Sequence, residues 1–271
     1  MKDILIGLAL ATAPVAAAYA DDAGDATGAA ASATAPSLSV SYSGSVLIFP
    51  VADISLSAVF PQGTYASAAR FTTAGVARWF DDTDIEAGVT GYREPEGLRP
   101  WRYEHFNHAS GSDRTVGIDF PDATATPDVD PPFGSMGQPP ASETERAGAL
   151  DPLSTLIGIM TAVAGGEGAA EEPCTGRLPV FDGKARYDLR LEQNGRDRVR
   201  AGDWRGEAIV CDAYVEPISG YDPGDRPSPE EIAEPVTLWL APIEGLFVPV
   251  RFRASSEIGP INIRARRIQV D

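Results

Sequence analysis

Residues 150–163 read LDPLSTLIGIMTAV, and the reading of this stretch decides the fold. Asp151 is placed to cap a helix, and Pro152 suits its first position, where a missing N–H leaves no intrahelical bond unmade. At about 100° per residue, Leu150, Leu153, Leu156, Ile157, Ile159, Met160 and Val163 fill roughly half the circumference. The other half is Ser154, Thr155, Gly158, Thr161 and Ala162, small and uncharged. A helix facing water carries charge on one side. This one predicts burial all round, with a small-residue face that lets other backbone come close. Hiding its large aliphatics contributes on the order of 10 kcal/mol, at ~1.5–3 kcal/mol per side chain. The cover on offer is a curved sheet, because the rest of the chain reads as strands and turns.

Working back towards the N-terminus, the pattern has period two. Leu38, Val40 and Tyr42 alternate with Ser, and Ile54, Leu56, Ala58 and Phe60 follow. A Pro61–Gln62–Gly63 turn leads to Tyr65, Ser67, Ala69 and Phe71. This is an antiparallel meander with one buried face. Residues 76–80, 85–92, 99–106 and 115–120 continue it. Residues 121–149 are rich in Pro, Asp, Ser and Ala, with few anchors beyond Val129, Phe133 and Met136, and predict a mobile loop.

After the helix, residues 165–173 form a small acidic linker. Strands resume at 177–181 and 184–192, joined by Asp182–Gly183, a two-residue hairpin signal. Asn194–Gly195 marks a second turn, and 207–215, 236–241, 247–254 and 261–270 close the series. The expected fold is mainly β: a curved antiparallel sheet, as a half-barrel or open barrel, around one central buried helix. One β-rich domain over residues 38–271 accommodates it.

The first twenty residues carry a different signal. Lys2, an apolar run at 4–15 and Ala18–Tyr19–Ala20 have the layout of a secretory leader cleaved after Ala20. The run is shorter than the ~20 residues a membrane span needs. No transmembrane segment is expected once it is removed. Residues 21–37, mostly Ala, Gly, Thr and Ser, read as a flexible tether. An exported chain places the protein in the periplasm, part of the cell envelope. Its two cysteines, Cys174 and Cys211, are then expected as a disulfide bond.

Charge excludes some partners. Lys and Arg number 22 against 39 Asp and Glu, a net charge of −17 in 271 residues. Such an acidic protein lacks the basic surface that phosphate contacts need, so nucleic acid is not an expected partner. No glycine-rich phosphate motif occurs, and no cofactor is expected.

Five stretches in order carry a family resemblance: SVSYSGSVLIFPVADISL, ARFTTAGVARWF, the LDPLSTL helix entry, RLPVFDGKARYDL and GLFVPVRFRASSEIGPINIRARRI. Together they resemble the family known as domain of unknown function 3108, found in exported proteobacterial proteins. The resemblance spans residues 42–270. It implies a periplasmic, sheet-rich protein and brings no catalytic residues with it.

Candidate sites follow from residue types. His105 and His108 are the only histidines. Three apart on a strand, they point to opposite faces and do not share a metal; on a loop, Glu104 or Asp113 would supply a third ligand. Asp81, Asp82, Asp84 and Glu86 form a dense acidic group without EF-hand spacing, and they read as a solvated turn. Asp128 and Asp130 carry less signal, and no metal site is expected. Arg251 and Arg253 alternate with Val250 and Phe252, and Arg264 and Arg266 with Ile263 and Ala265. If those strands pair, the arginines share a face able to hold an anionic group. The ligand-binding residues expected are therefore Leu153, Ile157 and Met160 on the helix, with Arg251, Arg253, Arg264 and Arg266. The leading expectation is a non-enzymatic periplasmic protein binding a lipid or other amphiphilic envelope molecule in a groove between sheet and helix. The alternatives are a structural module that contacts envelope proteins, or a hydrolase built from Asp81, Asp82 or Asp84 with His105.

Overall fold

The computed structural model describes residues 35–79, 83–108, 113–162, 173–256 and 258–271. The expected leader, all but the end of the tether, Asp81, Asp82 and Val163 lie outside these residues. The first half of the chain forms β1 (Ser37–Val46), β2 (Phe49–Val59), β3 (Thr64–Thr73), β4 (Asp84–Glu94), β5 (Gly97–Asn107), β6 (Arg114–Asp119) and β7 (Thr126–Asp130). The second half forms β8 (Gly176–Phe181), β9 (Arg186–Ala201), β10 (Trp204–Ser219), β11 (Val236–Ile243), β12 (Leu246–Ala254) and β13 (Ile261–Val270). All thirteen join one antiparallel sheet in the order β7-β6-β5-β4-β3-β2-β1-β13-β12-β11-β10-β9-β8. Each half is a meander, and the two meet where β1 pairs with β13, so that Val40 lies opposite Ile268 and Tyr42 opposite Ala265.

Alternation explains the shape. Leu38, Val40 and Tyr42 on β1 and Ile54, Leu56 and Ala58 on β2 are buried, with exposed or half-buried residues between them. A long sheet with one apolar face curls to bury it. The sheet does not close on itself; its edges are β7 and β8.

The open seam is bridged by the segment expected as a mobile loop. Residues 121–149 contain β7 and a helical turn, α1 (Glu143–Arg146), capped by a reciprocal Ser142–Glu145 box. On one side Ala125 N–H donates to Arg146 O and Gly148 N–H to Ala123 O. On the other, Leu150 N–H donates to Pro179 O and Phe181 N–H to Leu150 O, a parallel bridge to β8. The buried Arg186 guanidinium adds a bond to Glu145 O at 2.7 Å. A Pro- and Asp-rich composition signals loop because the bonds that hold this strap are long-range and leave no local periodicity.

The strap delivers the chain into the interior as α2 (Pro152–Thr161), with Asp151 as its N-cap. Leu150 belongs to the bridge and not to the helix. One Asp151 oxygen accepts from Leu153 N–H at 2.9 Å and Ser154 N–H at 2.8 Å, satisfying two donors the first turn leaves free. Every residue from Pro152 to Met160 is buried, including Ser154 and Thr155. Burial all round is what the uncharged circumference requires.

Two local readings differ from the structure. Residues 76–80, expected as strand, fall largely in a 3-10 turn (Gly75–Trp79). Asn194–Gly195, expected as a turn, sits inside β9 where the pairing with β10 shifts register beside Val210. The positive φ of Gly195 (83°) serves a bulge there, and the chain reverses at residues 202–203. Cys174 and Cys211 are joined, with their Cα atoms 5.4 Å apart, tying the start of β8 to β10.

Candidate functional site

The register of the second half lays one row of apolar side chains across the strands on the concave face. Leu189 on β9 lies opposite Val215 on β10, and Ala213 opposite Val236 on β11. Leu238 lies opposite Phe252 on β12, and Phe252 opposite Ile263 on β13. Ile54 and Phe71, themselves a cross-strand pair, continue the wall on β2 and β3. Against this row stands one side of α2, through Pro152, Thr155, Leu156 and Ile159. Sheet and helix do not meet fully. They leave a cleft with about 1270 Å³ of empty space, open solvent at its mouth included. Its lining reaches strand ends at one rim: Val236 begins β11, Ala254 ends β12 and Ile261 begins β13.

Few polar groups face the cleft. Asp182, in the β8–β9 turn, accepts from Lys184 N–H at 2.9 Å and Ala185 N–H at 2.7 Å through one oxygen. Burial pushes its carboxyl up, against the pull of those backbone donors. Tyr187 and Tyr221 line the same corner, and neither hydroxyl has a hydrogen-bond partner among the described residues. Burial, reinforced by Asp182, raises both phenols above their ordinary range. Arg253 stands at the rim without an ion pair among the described residues. A mostly apolar cleft with a small polar corner is the general form of a small-molecule site.

The residues expected to bind ligand divide into two groups. Leu153, Ile157 and Met160 are packed into the core and do not line the cleft; their neighbours Leu156 and Ile159 do. The four arginines do share a face. Arg251 lies directly opposite Arg264 in the β12–β13 pairing, and Arg253 opposite Asn262. That face is the outer one, since the alternating Phe252 and Ile263 point into the cleft. Arg251 stacks on Trp239 at 4.3 Å, and its buried Nε has no partner among the described residues. Desolvation, with Arg264 and Arg253 nearby, lowers its pKa. Arg266 donates to Ser43 Oγ at 2.7 Å. Only Arg253 belongs both to the stripe and to the rim of the cleft.

The remaining candidates separate as well. Arg70 pairs with both Asp84 and Glu86, while Asp81 and Asp82 lie outside the described residues. His105 is half-buried beside the Tyr103 hydroxyl, 3.2 Å away, and burial lowers its pKa to about 4. His108 is exposed, packed edge-on to Phe106. Among the described residues no cluster of His, Cys, Asp or Glu could hold a metal ion. Sequence reasoning missed the Asp182–Tyr187–Tyr221 corner. Its one local signal, Asp182–Gly183, is also that of an ordinary hairpin turn.

Comparison with known proteins places this architecture. The family described as "Protein of unknown function (DUF3108)" matches residues 38–266, and the chain belongs to that family. No curated protein matches the sequence. Among solved structures, a beta-barrel-like protein of domain of unknown function DUF1849 from Brucella abortus is similar, with a TM-score of 0.51 at 9% identity. The match covers 88% of this chain and 98% of that one. At that identity the likeness is one of fold alone.

Proposed function

We propose that this DUF3108 protein is an exported, non-enzymatic binding protein of the periplasm that holds a lipid or other amphiphile in the cleft beside α2. The observation that carries this reading is the cleft itself, walled by apolar side chains from both halves of the sheet and lined out to the strand ends at Val236, Ala254 and Ile261. An apolar tail lies along Leu156, Ile159, Leu238 and Phe252. The polar corner of Asp182, Tyr187 and Tyr221 suits a head group that offers hydrogen-bond donors, a hydroxyl or an amine. The disulfide supports export, since such bonds persist in oxidising compartments.

The test is titration of delipidated protein with a fluorescent fatty acid. Saturable uptake is expected. Ala213→Phe, which fills the cleft from the middle of β10, weakens it about tenfold, the equivalent of the ~1–3 kcal/mol that overpacking costs. An absence of saturable uptake, or equal uptake by the variant, contradicts the proposal.

A further inference from the structure

The four most exposed large apolar side chains among the described residues stand together. Leu47 (53%), Ile48 (84%) and Phe49 (53%) form the β1–β2 turn and its exit, and Ile258 (73%) tips the β12–β13 turn. Scattered exposed aliphatics are ordinary, but a cluster on projecting turns marks a contact surface. The two turns form one unit. Leu47 N–H donates to Pro260 O at 3.1 Å, and a Cβ on Gly259 would come 2.7 Å from Leu47 Cδ2. Ser256 Oγ closes the second turn on Gly259 O at 2.6 Å.

The chemistry of the first turn runs against its geometry. Two-residue hairpin turns need positive φ and strongly favour Asn-Gly, Asp-Gly or Gly pairs. Here Leu47 adopts φ 55° and Ile48 follows it. A bulky residue in the left-handed region is rare and costs backbone strain. Residues 44–52, GSVLIFPVA, also carry no charge. The fold thus holds large apolar groups out into solvent at a position where small polar ones fit better.

We propose that this edge docks on a phospholipid bilayer, with Ile48, Phe49 and Ile258 entering the interfacial layer. Three features favour a bilayer over a protein partner. Protein hot spots sit in packed pockets, whereas these side chains project from turns. Arginines border them on both sides: Arg253 and Arg264 on β12 and β13, and exposed Arg78 in the turn that packs on the start of β2. Basic side chains beside an apolar tip suit anionic head groups. Finally, Val236, Ala254 and Ile261 line the cleft from strand ends at this same rim, so a lipid tail passes from bilayer to cleft beside the docked turns. That last feature rests on the proposed function; the docking itself does not.

The experiment is flotation of the purified protein with vesicles of mixed phosphatidylethanolamine and phosphatidylglycerol. The parent chain is expected to rise with the vesicles. The double variant Ile48→Asn, Ile258→Asn, whose thermal midpoint should match the parent's because both side chains are exposed, is expected to lose bound fraction about tenfold or more. Arg253→Gln with Arg264→Gln weakens flotation at low salt, and the difference vanishes at high salt. A parent chain that stays at the bottom of the gradient overturns the proposal. So does equal flotation of parent and Ile variant, which would assign binding to another part of the chain. An Ile48-dependent dimer without flotation also overturns it, in favour of a second copy. Two readouts separate the proposals: Ala213→Phe that floats like the parent but has lost fatty-acid uptake upholds docking independently of the cleft, and a parent chain that takes up fatty acid without floating upholds the cleft alone.

Discussion

The hydroxyl of Tyr65 lies 2.7 Å from Ser154 Oγ, joining the third strand to the first turn of the buried helix. Ser154 Oγ in turn donates to Asp151, whose carboxylate also accepts two backbone N–H groups. The helix is therefore held at its N-terminus by a chain of polar groups shut away from water. Such networks are worth having only when every member is satisfied. They also make stability respond to pH.

Burial lifts the Asp151 carboxyl to about 6, against the hydrogen bonds from Ser154 and Leu153 that lower it. Because this lies above its unfolded value of 3.8, the stability it contributes is full below that pH and is lost as pH rises through about 6. His105 acts with the opposite sign. Its folded pKa of about 4 lies below 6.5, so its contribution is full above 6.5 and is lost as pH falls through about 4. Each amounts to about 3 kcal/mol at 1.36 kcal/mol per unit, and in the parent they largely offset each other. Asp151→Asn is expected to lose stability relative to the parent as pH falls from about 6.5 to 4, and His105→Gln to gain it, by up to about 3 kcal/mol each. Urea unfolding across that range checks both. Variants that track the parent at every pH would contradict the assignment.

Tyr42 presents the reverse case. Its hydroxyl is buried without a hydrogen-bond partner among the described residues, and its ring packs edge-on to Phe252, 5.9 Å between centroids. Leaving a buried polar group unpaired costs ~1–3 kcal/mol. Tyr42→Phe keeps the ring and removes the orphan, so denaturant unfolding should show unchanged or higher stability, by up to about 1 kcal/mol. A clear loss would mean that the hydroxyl has a partner.

The strap across the seam makes a third prediction. Arg186 donates to Glu145 O, Tyr187 O and the Asp188 carboxylate from a buried position. Arg186→Ala removes the anchor of the strap and leaves those acceptors unpaired, for an expected loss of about 2–3 kcal/mol. Amide exchange should speed up over residues 143–150 before the rest of the sheet. Uniform exchange in parent and variant would show that the strap is held by other contacts.

Reduction of Cys174–Cys211 opens a loop of 37 residues and should lower stability by about 4 kcal/mol in the chain-entropy account. Unfolding with and without reductant measures this directly. An unchanged midpoint would show that the unfolded chain gains little freedom there.

Much of the fold was legible because it is periodic. Leu38, Val40 and Tyr42 announce β1 by alternation, and the uncharged circle from Pro152 to Thr161 announces a helix buried on every side. What the sequence hides is long-range. The bonds from Ala125 and Phe181 to the strap connect residues with no shared local pattern, so residues 121–149 read as loop. Gly195 signals a positive φ, and a bulge needs that as much as a turn does. The site was half legible. Alternation put Arg251, Arg253 and Arg264 on one face, but not which face. The helix pattern marked Leu153 and Leu156 alike, and only tertiary packing turns Leu156 to the cleft and Leu153 to the core.

The most direct test of the central claim is native mass spectrometry of the protein purified from periplasm without detergent, followed by organic extraction. A bound mass recovered as lipid or glycolipid in the extract, and missing from Ala213→Phe, is the expected result. An apo mass for the parent, with no extractable amphiphile, would contradict the claim and leave α2 as a plug against the sheet.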